Sequence, residues 1–257
     1  MSFSPTNELE QVLTQAARNP AVRPQFYRML LESELLLLTP PSKTEQGERT
    51  LEKNENVSIV NWSNGRNTFI PIFTSLAVLE EAVKKVGGDY DYLVLKGKDL
   101  FGILSEGPSP AVLNPSSQFG KEFPVEEMRE LVSGRMFQPA RREEVRMDRQ
   151  VFLGQPAEYP HALVDALKEF MINRAEISVA YVAQFHDPAS GNAPHLLVAV
   201  GIEGEVDPVM QSMSMIAREV SGPGKVVDFT VLKPGSGLSD YFANVEPFYQ
   251  RKSDVER

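Results

Sequence analysis

Three histidines, His161, His186 and His195, are the side chains here best suited to proton transfer near neutrality or to holding a metal. His186-Asp187 and His195 stand at the two ends of one polar loop, so their spacing allows them to approach. His161 and Asp165 share a helix face at i, i+4. A zinc site built from these residues needs all three histidines to converge, or two of them with a carboxylate. The His-Glu-x-x-His helix of a metalloprotease does not occur. The pattern reads as surface and loop-anchoring histidines, and no metal site is expected.

Nucleophilic hydrolysis has no better foothold. Neither Gly-x-Ser-x-Gly nor Ser-x-x-Lys with its companion motifs is present. Gly222-Pro223-Gly224 precedes an expected strand, and its proline has no amide to donate. Gly235-Ser236-Gly237 follows a strand and precedes a helix, but it lacks the third glycine and the lysine of phosphate-binding loops. A turn with a serine cap explains it. The doublets Glu80-Glu81, Glu126-Glu127 and Glu143-Glu144 point about 100° apart on a helix, as solvated faces do. Cysteine is absent, which removes disulfides, thiolate metal sites, iron–sulfur clusters and cysteine nucleophiles together. No catalytic residue and no cofactor is expected.

The run Ile70-Pro71-Ile72-Phe73-Thr74-Ser75 carries more. Alternation buries one side of a strand, and either hydroxyl can cap the helix that follows. That is a complete structural explanation. A functional reading adds that a strand feeding a helix N-terminus offers free amides to a carboxylate or phosphate. Pro71 marks the strand as an edge, or as the end of pairing, and an edge can accept a partner strand. Pro71, Phe73, Thr74 and Ser75 are therefore one candidate interaction or ligand surface. Arg141 and Arg142 are another, within five arginines in residues 135–150 that can meet an acidic surface or simply form a solvated joint.

These residues need elements to position them. Asn7 and Glu10 have the capping-box spacing ahead of Leu9, Val12, Leu13 and Ala16 on one helical face, and Asn19-Pro20 ends that helix. A second helix starts near Pro24, and Leu35–Thr39 reads as a buried strand. Residues 42–56 form a polar loop. Val57–Trp62 and Thr68–Phe73 flank Asn64-Gly65 as a hairpin, with Trp62 on the same side as Val60 and partly buried in a structural role. A helix follows to about Lys85, then a strand at Tyr92–Leu95, a helix near Asp99–Ser105, a strand at Ala111–Leu113 and a helix from Phe123-Pro124 to Leu131. In the second half Arg146–Leu153 is extended and Tyr159-Pro160 opens a helix. Ile177–Phe185 and Leu196–Ile202 are strands, Pro208–Val220 a helix, Val226–Leu232 a strand, and a short helix follows Ser239. Helices mixed with hairpin-linked strands in both halves favour α+β over regular βαβ alternation.

A chain of 257 residues exceeds the usual size of one core. It divides into a domain at 1–134, a basic linker at 135–150 and a domain at 151–257. The formal charge is −9. Residues 1–134 carry 13 basic and 18 acidic side chains, residues 135–150 carry 5 and 3, and residues 151–257 carry 8 and 14. Two acidic halves repel phosphate backbones, so nucleic acid is not an expected partner. The longest apolar stretch, Leu196–Ile202, is far short of the about 20 residues of a membrane span, and the N-terminus has no secretory pattern. A cytoplasmic location is expected.

The ordered motifs have a family likeness. Asn7-Glu8-Leu9-Glu10, Ala16-Ala17 and Pro20-Ala21-x-Arg23-Pro24-x-Phe26-Tyr27-Arg28-x-Leu30-Leu31-Glu32-Ser33 resemble the opening of the N-terminal domain of the enhanced-serine-sensitivity (SseB) family of bacterial proteins. Ile70–Leu76 and Gly120-Lys121-Glu122-Phe123 resemble later segments of that domain. Leu153-Gly154-Gln155-Pro156-x-x-Tyr159-Pro160-x-Ala162-Leu163 and Pro247-Phe248-Tyr249-Gln250-Arg251 resemble the start and end of the family's C-terminal domain. The resemblance implies a two-domain α+β cytoplasmic protein of a family named for a serine-sensitivity phenotype, with no established catalytic residues to carry over. Three function classes follow: a non-catalytic adaptor or regulator acting on a protein partner, a binder of a small molecule such as an amino acid, and an unrecognised enzyme. The missing catalytic constellations put the adaptor first.

Overall fold

The computed structural model describes residues 3–41, 58–65, 67–138, 151–222, 225–233 and 235–251. They divide into two units, residues 1–18 with 25–136, and residues 19–24 with 137–257.

In the first unit α1 (Glu8–Ala16) buries Leu9, Val12, Leu13 and Ala16, and Asn7 caps it by accepting the Glu10 amide at 2.9 Å. The capping box is only half formed. The Glu10 carboxylate takes the Thr6 amide at 2.7 Å and does not return to Asn7. After α2 (Arg23–Glu32) come β1 (Glu34–Thr39), β2 (Trp62–Ser63), β3 (Thr68–Phe73), α3 (Leu76–Val86), β4 (Asp91–Lys96), α4 (Gly97–Ser105), β5 (Ala111–Leu113), β6 (Lys121–Phe123) and α5 (Val125–Val132). The sheet runs β4-β1-β3-β5-β6, with β2 beside β3; β3 and β5 are parallel and the other pairs antiparallel. Leu35, Leu36, Leu37 and Leu38 are all buried, so β1 is covered on both faces. Leu36, Leu38, Phe73 and Trp62 pack with Leu79 and Ala82 of α3.

Two expectations change here. β2 is two residues long, and residues 58–61 are not in a strand; Val57 lies outside the described residues. β3 is an interior strand, so of the two readings of Pro71, an edge or the end of pairing, the edge is overturned. The Ile70 amide donates to the Pro110 oxygen and the Ile72 oxygen accepts the Asn114 amide, so by alternation Pro71 turns its backbone away from β5. On that other side the pairing with β1 covers Ile72 and Phe73, and β2 pairs with Thr68 and Phe69. Proline, lacking an amide hydrogen, sits in the gap between them.

The second unit contains β7 (Phe152–Gly154), α6 (His161–Met171), β8 (Ile177–His186), β9 (His195–Ile202), α7 (Val206–Ser221), β10 (Val227–Val231), α8 (Gly237–Phe242) and β11 (Tyr249–Gln250). Its sheet runs β10-β9-β8-β11, with β7 also on β8. β9 and β10 are parallel, joined through α7, and the other pairs are antiparallel. α6 and α7 cover one face over Ala180, Val182, Val198 and Val200; Phe242 of α8 joins Ala183 and Ala199 on the other. α8 begins before Ser239, earlier than expected, and Ser236 of the Gly235-Ser236-Gly237 turn is its serine cap, accepting the Ser239 amide. The terminal Phe248–Arg251 motif is a clasp. Phe248 and Arg251 amides donate to Ala180 and Ser178 oxygens, the Tyr249 hydroxyl reaches the Met171 oxygen at 3.0 Å, and Arg251 pairs with Glu203 at 3.1 Å. No helix among the described residues is long and apolar enough to cross a membrane.

Candidate functional site

At the Thr74-Ser75 handover from β3 to α3, read as offering free amides to a carboxylate or phosphate, the two hydroxyls instead hold a carboxylate of the protein's own. The Thr74 and Ser75 hydroxyls both donate to Glu10 Oε1 at 2.7 Å, while Glu10 Oε2 takes the Thr6 amide at 2.7 Å and the Thr6 hydroxyl at 3.0 Å. Asn7 Nδ2 donates to the Thr74 oxygen at 2.9 Å, and Asn114 Oδ1 accepts the Thr74 amide at 3.0 Å. Ser75 also caps α3 by accepting the Val78 amide. Burial pushes the Glu10 carboxyl up, but the hydrogen bonds from Thr6, Ser75 and Thr74 outweigh it and hold its pKa below the ordinary value. Asn114 is fully buried at φ 50°, a left-handed conformation that asparagine tolerates better than most residues. This hub fixes α1, the end of β3 and the β5–β6 loop to one another. Pro71, Phe73 and Thr74 are buried within it or beside it, and Ser75 is half buried.

A cleft of about 590 Å³ opens on the α3 side of the same sheet. Trp62 and Phe69, facing each other across β2 and β3, give it aromatic surface, and Val112 of β5 extends the apolar floor. Asn61, Asn64, Asn67 and Ser63 come from the β2–β3 hairpin, Ser116 from the β5–β6 loop, and Glu122 from β6. The hairpin shape comes from the Asn64-Gly65 turn, with Gly65 at φ 84° and Asn64 Oδ1 accepting the Asn67 amide at 2.8 Å. Trp62 is 8% exposed, and its indole nitrogen is buried without a hydrogen-bond acceptor. Glu122 is exposed, with no ion pair among the described residues. The lining holds no histidine. Lys85, whose ammonium reaches the Ser116 oxygen at 3.3 Å, is held by Glu81 at 2.9 Å. Such a lining can bind through carboxamides, hydroxyls and one carboxylate.

The histidines do not converge. Phe185 pairs with His195, so His186, one residue on, points to the opposite face of β8. There its ring stacks on Phe152 at 6.4 Å, with Nδ1 buried and unpartnered. His195 ties the β8–β9 loop to β10, with Nε2 2.7 Å from Asp228 Oδ2 and Nδ1 3.0 Å from the Ala193 oxygen. Asp187 closes a turn by accepting the Ala189 amide. His161 lies against the ring of Tyr159 at 4.9 Å. Burial, then the Asp165 and Glu246 carboxylates, raise the Tyr159 pKa. No group of three or more histidines and carboxylates among the described residues could hold a metal. Arg141 and Arg142 lie outside the described residues.

Sequence reasoning singled out Trp62 and Glu10 but not their partners. Asn61, Asn67 and Glu122 were missed, as was Asn114. One pattern pointed there: three asparagines and two serine or tryptophan neighbours gathered between positions 61 and 67, around the chain's single tryptophan.

Comparison with known proteins agrees with the architecture. The profile of the SseB protein N-terminal domain matches residues 9–130, and that of the SseB protein C-terminal domain matches residues 145–251. Protein SseB of Escherichia coli strain K12 is 28% identical over 251 residues, spanning 96% of this chain and 93% of its own. Protein SseB of Shigella flexneri aligns with the same identity and coverage. No solved structure gives a significant match. With both domain profiles matched in order, and relatives aligned across both mixed α-and-β units, the chain belongs to the SseB family.

Proposed function

We propose that this protein is a non-catalytic cytoplasmic adaptor or regulator, linked to serine sensitivity, that works by protein contact at the Trp62 cleft. The observation that carries the reading is an open cleft presenting the Asn61 and Asn67 carboxamides and the Glu122 carboxylate, exposed and with no side-chain partner among the described residues. The lining has a carboxylate and hydroxyls but no histidine beside them, which supports recognition over turnover. Filling the cleft tests this. Asn67 is exposed, and Asn67→Phe projects a ring into the opening while leaving the backbone bonds of the turn in place. In affinity capture with quantitative mass spectrometry, the variant loses the wild-type partner, whereas His186→Ala and Ser75→Ala keep it. Equal capture by Asn67→Phe overturns the reading.

A second reading is a small-molecule site, for an amino acid among others. The cleft's volume, about 590 Å³, falls in the range of ligand pockets and favours it. A thermal-shift screen against amino acids and nucleotides separates the two, since a ligand at a hundred times its Kd adds about 2.7 kcal/mol.

A further inference from the structure

We infer that the cleft takes an extended peptide segment of about five residues ending in a basic side chain, an inference that rests on the adaptor reading and names its partner's chemistry. The length comes from the sheet. Trp62 pairs with Phe69 of β3, Pro71 of β3 pairs with Val112 of β5, and Val112 pairs with Glu122 of β6. Trp62 and Glu122 thus stand three strand spacings apart at ~4.8 Å each and two residues apart along β3, about 16 Å in all, on one face of the sheet. A free amino acid, whose charged groups are a few ångströms apart, does not bridge that distance. An extended chain rising about 3.3 Å per residue does so in four or five residues.

The chemistry of the lining selects the rest. The carboxamides of Asn61 and Asn67 each offer a donor and an acceptor, the complement of a peptide backbone, and neither has a side-chain partner among the described residues. Trp62, 8% exposed and next to Asn61, closes one end of the cleft. At the other end Glu122, exposed and unpaired among the described residues, calls for a cation. Phe69 and Val112 between them accept apolar side chains. Residues 1–134 carry five more acidic than basic side chains, so the surrounding field favours the same sign of partner.

The probe is the peptide acetyl-Val-Ala-Val-Ala-Lys-amide, in which both valines and the lysine fall on one side of an extended chain. Trp62 is the only tryptophan, so its emission in the full-length protein reports occupancy of the cleft directly. The expected result is a saturable change in emission with this peptide. The glutamate-ended analogue and N-acetyl-lysinamide, which keeps the cation but not the length, bind at least about tenfold more weakly. Glu122→Lys reverses the preference between the lysine and glutamate peptides; the site is exposed, and unchanged emission of the free variant confirms its fold. Equal binding of the two pentapeptides, full binding of N-acetyl-lysinamide, or an unaltered preference in Glu122→Lys overturns the inference. The two claims fail separately. If Asn67→Phe loses its protein partner yet the wild type shows no response to the lysine peptide, the adaptor reading stands and this occupant is wrong. If Asn67→Phe keeps its partner, the adaptor site itself is wrong.

Discussion

Glu10 is the residue whose replacement tests the architecture of the first unit most sharply. Its carboxylate accepts two hydrogen bonds from Thr6 and one each from Thr74 and Ser75, and it is fully buried. Thr6 is exposed and regains water when the carboxylate is lost, so the cost falls mainly on the Thr74 and Ser75 hydroxyls. Two hydrogen bonds to a charged group, at about 1.5–3 kcal/mol each and partly recovered through Asn114, give about 3 kcal/mol for Glu10→Ala. Glu10→Gln keeps the shape, and the hydroxyls can rotate to accept from its amide, so about 1 kcal/mol is expected from the lost charge. The assay is urea unfolding followed by Trp62 emission, which lies in the same unit and therefore reports that unit. At a slope near 2 kcal/mol/M the alanine variant shifts the midpoint by about 1.5 M. The pH dependence has a definite sign. Because the folded-state pKa is lowered from 4.5, the carboxylate contributes stability above pH 4.5, and that contribution is lost as pH falls below 4.5 through the folded value. Wild type and Glu10→Gln therefore converge on acidification. An alanine variant within about 0.5 kcal/mol of wild type, or a gap to Glu10→Gln that widens below pH 4.5, refutes the hub.

Three further outcomes are expected. Gly97→Ala, whose new Cβ would collide with the Leu30 carbonyl oxygen, loses about 3 kcal/mol or more by the same unfolding assay; Gly102→Ala in the same helix meets open space and gains about 0.5–1 kcal/mol. Limited trypsin digestion cuts first in the arginine-rich stretch of residues 135–150 and leaves two folded fragments, whereas equal early cleavage inside both units would contradict two independent cores. Elemental analysis of the purified protein finds less than one equivalent of zinc, iron or manganese; a tight equivalent lost in His186→Ala or His195→Ala would reveal a site that the ring orientations argue against.

Local chemistry made much of the fold legible. Leu35–Thr39 reads as a buried strand, and Thr74 or Ser75 as the cap of the next helix; β1 is buried, on both faces, and Ser75 is the cap. Asn64-Gly65 gave away its turn, although β2 beside it is only two residues long. What pattern alone could not supply was the far partner of each group. Glu10 looked like half of a capping box, and only tertiary packing brings Thr74 and Ser75, more than sixty residues on, to its carboxylate. Pro71 marks an edge or an end of pairing because its missing amide hydrogen is a local fact; that the gap between β1 and β2 falls opposite it is a fact about register. β6 and β11, short strands paired at their full length by neighbours, carry too few residues for a period to show. The cleft draws on a hairpin, a helix end, a loop and two strands, so its asparagines and Glu122 share no spacing that a linear pattern could register.

Recognition at the Trp62 cleft without turnover is tested by the emission of Trp62 in the full-length protein, titrated with a purified partner obtained by capture, in wild type and in Asn67→Phe. The wild type shows a saturable change, with the partner recovered chemically unaltered, and the cleft-filling ring weakens binding at least about tenfold. A partner that binds both proteins equally with no change in Trp62 emission, or one that is consumed during the titration, would contradict such recognition.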